Sequence, residues 1–201
     1  MGRIIEKNRE TRFKDLLKIT SSQRFLKNEG VDEIPFYIYA YDPKQSVITE
    51  EDKDSLKKKL DQQGIKVLEI NLYDLAVKTL KDNGDWDWYI EKEPSMTKQE
   101  FREDLQGILD VENVLTPEIA KIIDSKDHDL VFLTGIGEVF PYIRSHSILN
   151  NLQVVAKHKP TVIFFPGEYQ HSLDKGATLK LFSRLEDDKY YRAFNIDEYE
   201  V

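Results

Sequence analysis

Two stretches of the chain are apolar at every position, Leu130-Val131-Phe132-Leu133 and Val162-Ile163-Phe164-Phe165. Both read as strands buried on two faces, the pattern of a parallel sheet covered by helices. Pro35 to Tyr41, rich in aromatic and β-branched residues and closed by the turn dipeptide Asp42-Pro43, predicts a strand, as do Val67, Leu68 and Ile70. Tyr190 to Ile196 supplies a fifth candidate.

Between these strands apolar residues recur at helical intervals. Phe13, Leu16 and Leu17 mark an outer helix within a charged leader over residues 3–27. Thr49, with Glu50, Glu51 and Asp52 behind it, is expected to cap a helix whose last turns carry Lys57, Lys58 and Lys59 before Gly64, acid and base each at the end the helix dipole favours. Leu72, Leu75, Ala76 and Leu80 predict a helix ending at Gly84. Thr97 with Glu100 forms a capping box ahead of Phe101, Leu105, Ile108 and Leu109, Thr116-Pro117-Glu118 opens another helix, and Phe140 to Leu152 reads as a further one. Asn83 to Pro94 sets Trp86, Trp88 and Tyr89 among acidic residues without a clear period, and an exposed, lid-like connection is expected there. Strand and helix thus alternate. The expectation is an α/β three-layer sandwich with a mostly parallel sheet of about five strands, a single domain over residues 1–201 with an N-terminal helical leader.

Composition narrows the function classes. Among 201 residues, 29 Lys and Arg stand against 37 Asp and Glu, a net charge of −8, which argues against a broad duplex-binding surface because phosphate contacts need clustered cations. No apolar run approaches the roughly 18 to 20 residues that span a bilayer, and Met1 to Glu10 lacks an apolar signal core, so a cytoplasmic protein without a membrane anchor is expected. The absence of cysteine removes disulfides, thiol nucleophiles and thiolate zinc sites.

Ligands of parallel sheets sit beyond the carboxyl ends of the strands, where two unusual segments fall: Thr134 to Pro141 and Pro166-Gly167-Glu168-Tyr169. Gly135 and Gly137 resemble the opening of a dinucleotide fingerprint, but Phe140 occupies the third glycine position. None of the nine glycines is followed by Lys and then Ser or Thr, so the phosphate loop of nucleotide hydrolases is absent. Arg144 and His146, two apart, would point roughly 200° away from each other on a regular helix. His146 with Glu138 or Glu168 lacks the second histidine at i+3 or i+4 that a helical metal site uses. Ser145 and Ser147 have no nucleophile elbow around them. The candidate cluster, functional or structural, is therefore Gly135, Gly137, Glu138, Arg144, His146, Glu168 and Arg192. Within it Glu168 is expected to pair with Arg144 or Arg192. No catalytic set, metal site or cofactor is expected.

The run Phe132-Leu133-Thr134-Gly135-Ile136-Gly137-Glu138-Val139-Phe140-Pro141-Tyr142-Ile143-Arg144-Ser145-His146, continued by Ile148-Leu149-Asn150-Asn151-Leu152, resembles the signature of the BrxB family. Phe164 to Tyr169, Leu179-Lys180-Leu181-Phe182 and Tyr190-Tyr191-Arg192-Ala193-Phe194 repeat the resemblance in the same order. It implies a small component of a BREX (bacteriophage exclusion) defence system, acting beside a large ATPase, a PglZ-type alkaline-phosphatase-like protein and a DNA methyltransferase. It implies no established catalytic activity. The expected role is a non-enzymatic adaptor linking the PglZ-type protein and the ATPase, with the methyltransferase a further candidate partner. The alternative is a degenerate nucleotide- or nucleic-acid-binding enzyme using Arg144, His146, Glu168 and Arg192.

Overall fold

A computed structural model of the chain describes residues 8–28, 35–156, 158–172, 176–187 and 193–201. Strands β1 (Phe36–Tyr41), β2 (Val67–Asn71), β3 (Leu130–Thr134) and β4 (Thr161–Ser172) stand side by side in the order β2-β3-β4-β1, every pairing parallel. β4 does not stop at Phe165 but continues through Pro166 to Ser172, pairing antiparallel with β5 (Gly176–Leu181), which pairs with β6 (Leu185–Asp187). The short β7 (Phe194–Asn195) lies parallel to β1 at the sheet's outer edge, so the fifth predicted strand exists in its last residues, while Tyr190 to Arg192 fall outside the described ones.

Strand alternation divides the apolar side chains between two layers. Ile38, Ile70, Val131, Leu133, Ile163 and Phe165 face a core closed by α4 (Leu72–Asn83), α5 (Trp86–Lys92), α6 (Lys98–Ile108), α7 (Thr116–Ser125) and α8 (Ser145–Val155). Tyr37, Tyr39, Phe132, Val162 and Phe164 face a second core closed by α1 (Arg9–Thr20), α2 (Gln23–Leu26) and α3 (Ser46–Gln62). Burying each such side chain is worth about 1.5–3 kcal/mol, which is why Leu130–Leu133 of β3 and Val162–Phe165 of β4, each contributing to both cores, are apolar on both faces. That is the three-layer α/β sandwich the pattern implies.

Several boundaries differ from expectation, each for a local reason. Thr49 does not cap α3: Asp42 accepts from Lys44 N at 3.0 Å and starts a 3-10 turn, Pro43–Gln45, that runs directly into the helix at Ser46, leaving Thr49 buried in the first turns. Trp86–Lys92 is a helix rather than an open connection. Trp86 and Tyr89, three apart, face the core together, and Tyr89 donates to Asp104 at 2.8 Å, so packing overrides weak aromatic helix propensity. The helix after β3 begins at Ser145, not Phe140, because Pro141 lacks an N–H and biases Phe140 away from helical geometry; residues 135–143 form turns with a cis Phe140-Pro141 peptide. Pro166 to Tyr169 is strand, not loop. Gly167, at φ +154°, lies so close to β5 that an added Cβ would stand 2.0 Å from the Lys180 carbonyl oxygen.

Candidate functional site

β1 leads into α3 on one face of the sheet and β3 leads towards α8 on the other, with β4 between them. Where connections diverge in this way a crevice opens beyond the strand ends. It encloses about 270 Å³, near the lower end of the roughly 300–1,000 Å³ typical of ligand pockets. Tyr41, Ser46, Thr49 and Glu50 line one side, and Thr134, Gly135, Ile136, Gly137 and Glu138 the other.

Both glycines serve close packing. Gly135, at φ +76°, lies against the start of α4, where an added Cβ would be 2.5 Å from Asn71 Oδ1. That oxygen caps α4, accepting from Tyr73 N at 2.8 Å and Asp74 N at 3.2 Å. Gly137 packs against the Pro166 and Phe182 rings, at 2.9 and 3.0 Å from a built Cβ. The turn is thus filled by protein where a dinucleotide fold would leave room for a pyrophosphate at the start of the next helix.

A charged network missing from the sequence-based candidates lies behind the crevice. Lys53 of α3, its side chain 4% exposed, bonds Glu50 and reaches Glu69 of β2 at 2.5 Å; Lys57 holds the second Glu69 oxygen, and Thr134 Oγ1 donates to Glu69 at 3.3 Å. Burial alone would depress the Lys53 ammonium, yet the bonds to Glu50 and Glu69 raise it above its ordinary value. Burial likewise opposes ionisation of Glu69, and Lys53 and Lys57 more than offset it, holding the carboxyl below its usual range. The Tyr41 phenol, desolvated and beside Glu138 and Glu50, is pushed up to about 12. Lys53 and Glu69 are fixed in charge and Tyr41 is a donor, so none of these three is poised near neutrality for general acid-base work. A signal for Lys53 was present: it lies in the stripe Thr49, Lys53, Leu56, Leu60, all buried.

Of the remaining predicted residues, Arg144, His146 and Glu168 do not line the crevice. Arg144, exposed and extended at φ −90° and ψ 133°, precedes α8 as its N-cap, while His146 is buried in the first turn. They diverge, but because Arg144 stands outside the helix rather than around it. Glu168 is exposed on β4, 3.4 Å from Gln170 Nε2, and among the described residues no ion pair joins it to Arg144; Arg192 lies outside them. Of the two pairings expected for Glu168, the one with Arg144 does not form, and the one with Arg192 falls outside the described residues. Among the described residues no group of three or more His, Asp or Glu side chains is placed to hold a metal ion.

On its far side the 135–143 segment walls a second depression. This apolar groove of about 220 Å³ lies between α4, α5 and α6, with Leu80, Trp86, Phe101, Leu105, Tyr142 and Ile143 in its lining. Glu138 borders both sites.

A family model described as "BREX protein BrxB" matches residues 68–196, which contain the turn, the groove and the antiparallel extension of β4. The chain belongs to the BrxB family. The BREX protein BrxB of Bacillus cereus (strain H3081.97) is 36% identical over 188 residues, covering 90% of this chain and 93% of that protein. The BREX protein BrxB of Escherichia coli O9:H4 (strain HS) is 28% identical over 188 residues, covering 93% and 90%. No solved structure matches the chain significantly. The family model begins at Leu68 in β2, so the BrxB match takes in Glu69 but not Lys53 or Tyr41.

Proposed function

We propose that this BrxB chain is a non-enzymatic adaptor within a BREX defence system, acting in the cytoplasm and linking a PglZ-type alkaline-phosphatase-like protein to the large ATPase. The observation that carries the reading is the apolar groove, whose lining residues Tyr73 and Ile90 are 46% and 56% exposed, with Trp88, on the same helix as Ile90, 46% exposed. Apolar side chains left exposed at the mouth of an apolar groove favour a protein contact there. The acid surplus favours a protein partner over nucleic acid. Among the described residues no helix is long and apolar enough to cross a membrane.

The competing reading, a degenerate nucleotide-handling enzyme, would place its chemistry in the crevice. Glu50 and Glu138 line that crevice and would repel a phosphate, while Lys53 is already tied to three carboxylates, Glu50, Asp54 and Glu69. Phage plating on cells carrying Tyr41→Phe or Ser46→Ala separates the two. The adaptor reading expects full defence from both variants; loss of defence with a folded, normally abundant protein would favour the enzyme.

A further inference from the structure

The groove between α4, α5 and α6 carries a charge pattern as well as an apolar lining. Part of its wall is a run of edge-to-face rings, Tyr89 to Phe101 at 5.7 Å and Phe101 to Tyr142 at 5.9 Å. An apolar cavity of about 150 Å³ accepts a benzene-sized group, so about 220 Å³ has room for one large or two smaller side chains. The charged residues lining it, Glu93 and Glu138, are both carboxylates, and among the described residues no ion pair reaches either. Of the cations on α4 and α5, Lys78 pairs with Asp82, Lys92 with Glu91, and Lys81 lies over the Trp86 ring at 5.1 Å. Asp85 and Asp87, at the start of α5, add to the acidic surroundings.

On the adaptor reading above, we propose that this groove receives a basic amphipathic segment of a partner protein, its apolar side chains seated against Leu80, Trp86 and Phe101 and its Lys or Arg side chains facing Glu93 and Glu138. Apolar anchors supply the contact, and the carboxylates reject acidic segments of the same shape. An uncharged hydrophobic helix would fill the groove but leave both carboxylates unanswered.

The test uses the full chain and two synthetic helical peptides with leucine at i, i+3, i+4 and i+7, one carrying lysine and the other glutamate at the remaining positions. Fluorescence anisotropy should show the lysine peptide binding at least tenfold tighter than the glutamate peptide. Ile90→Asp and Glu93→Lys, both at exposed positions, should each weaken it at least tenfold without shifting the melting temperature. Equal binding of the two peptides, no binding of either, or indifference to both substitutions would overturn the proposal. Co-expression with the neighbouring BREX proteins separates the two claims. A complex that survives both substitutions defeats the groove and leaves the adaptor standing. Selective peptide binding with no complex upholds the groove's chemistry and defeats the adaptor.

Discussion

At the residue scale the decisive feature is a lysine where a leucine would be expected. Lys53 continues the buried stripe of α3, and its charge persists there because Glu50 and Glu69 receive it. Removing one partner of such a buried pair commonly costs about 3–5 kcal/mol. Lys57 still answers Glu69, so Lys53→Ala should fall near the lower end, roughly 3 kcal/mol, or ~6–12 °C in melting temperature for a chain of this size. The pH dependence follows from Glu69. Its carboxyl is held below its ordinary 4.5, so its contribution is complete above that value and is lost as pH falls through the lower folded-state value. Urea titrations at pH 7 should therefore show Glu69→Gln less stable than the parent, with the gap closing as the solution is acidified. A gap that stays constant or widens on acidification would contradict the pairing. Gly167 offers a second check. A methyl group there meets the Lys180 carbonyl oxygen, a backbone atom that cannot swing aside, and Gly167→Ala should lose about 1–3 kcal/mol or more in the same titration.

At the scale of elements, α1 is held by its buried Leu16 and Ile19 and by the Arg9 pair with Asp52 of α3, and it is tied to two distant segments by Arg12. Its guanidinium donates to Asp197 at 2.7 Å and to the Ala40 carbonyl at 2.5 Å, and lies 4.0 Å from the centre of the Tyr39 ring. One planar cation thereby ties the first helix, the end of β1 and the segment after β7. Arg12→Lys keeps the charge but not the fork or the stacking, and should cost about 1.5–3 kcal/mol. Hydrogen exchange should accelerate in α1 and around Asp197 while β3 and β4 stay protected; uniform acceleration would show that Arg12 holds no particular element. Elements built on a strict apolar period were legible in the sequence: the two doubly apolar strands, α4 up to Gly84, and α6 behind its capping box. What was not legible depends on contacts distant along the chain. The aromatic helix α5 is read as a helix only once Phe101 and Asp104 are placed beneath Tyr89, and β4 continues past Pro166 only because β5 returns to pair with it. The candidate cluster fared likewise. Gly135, Gly137 and Glu138 reach the crevice because they follow β3 directly, whereas the helix that carries His146 starts only at Ser145 and leaves Arg144 outside it.

For the whole molecule, the sheet offers two surfaces beyond its strand ends, and their chemistry differs. The crevice is backed by a closed charge network, and the groove beside it is apolar, open and rimmed by carboxylates. A domain that only connects other proteins needs the second and not the first, which is why the BrxB chain is read as an adaptor. Isothermal calorimetry with ATP and magnesium should accordingly give no micromolar isotherm; one abolished by substitution at Gly135 would reverse the assignment. The most direct measurement is size-exclusion chromatography with mass detection on the tagged chain co-expressed with its neighbouring BREX proteins. Co-elution with the PglZ-type protein, the ATPase or both, at the summed mass of a defined complex, is expected of the adaptor role. Elution solely at the 23.6 kDa of the isolated chain, away from every neighbour, would contradict it.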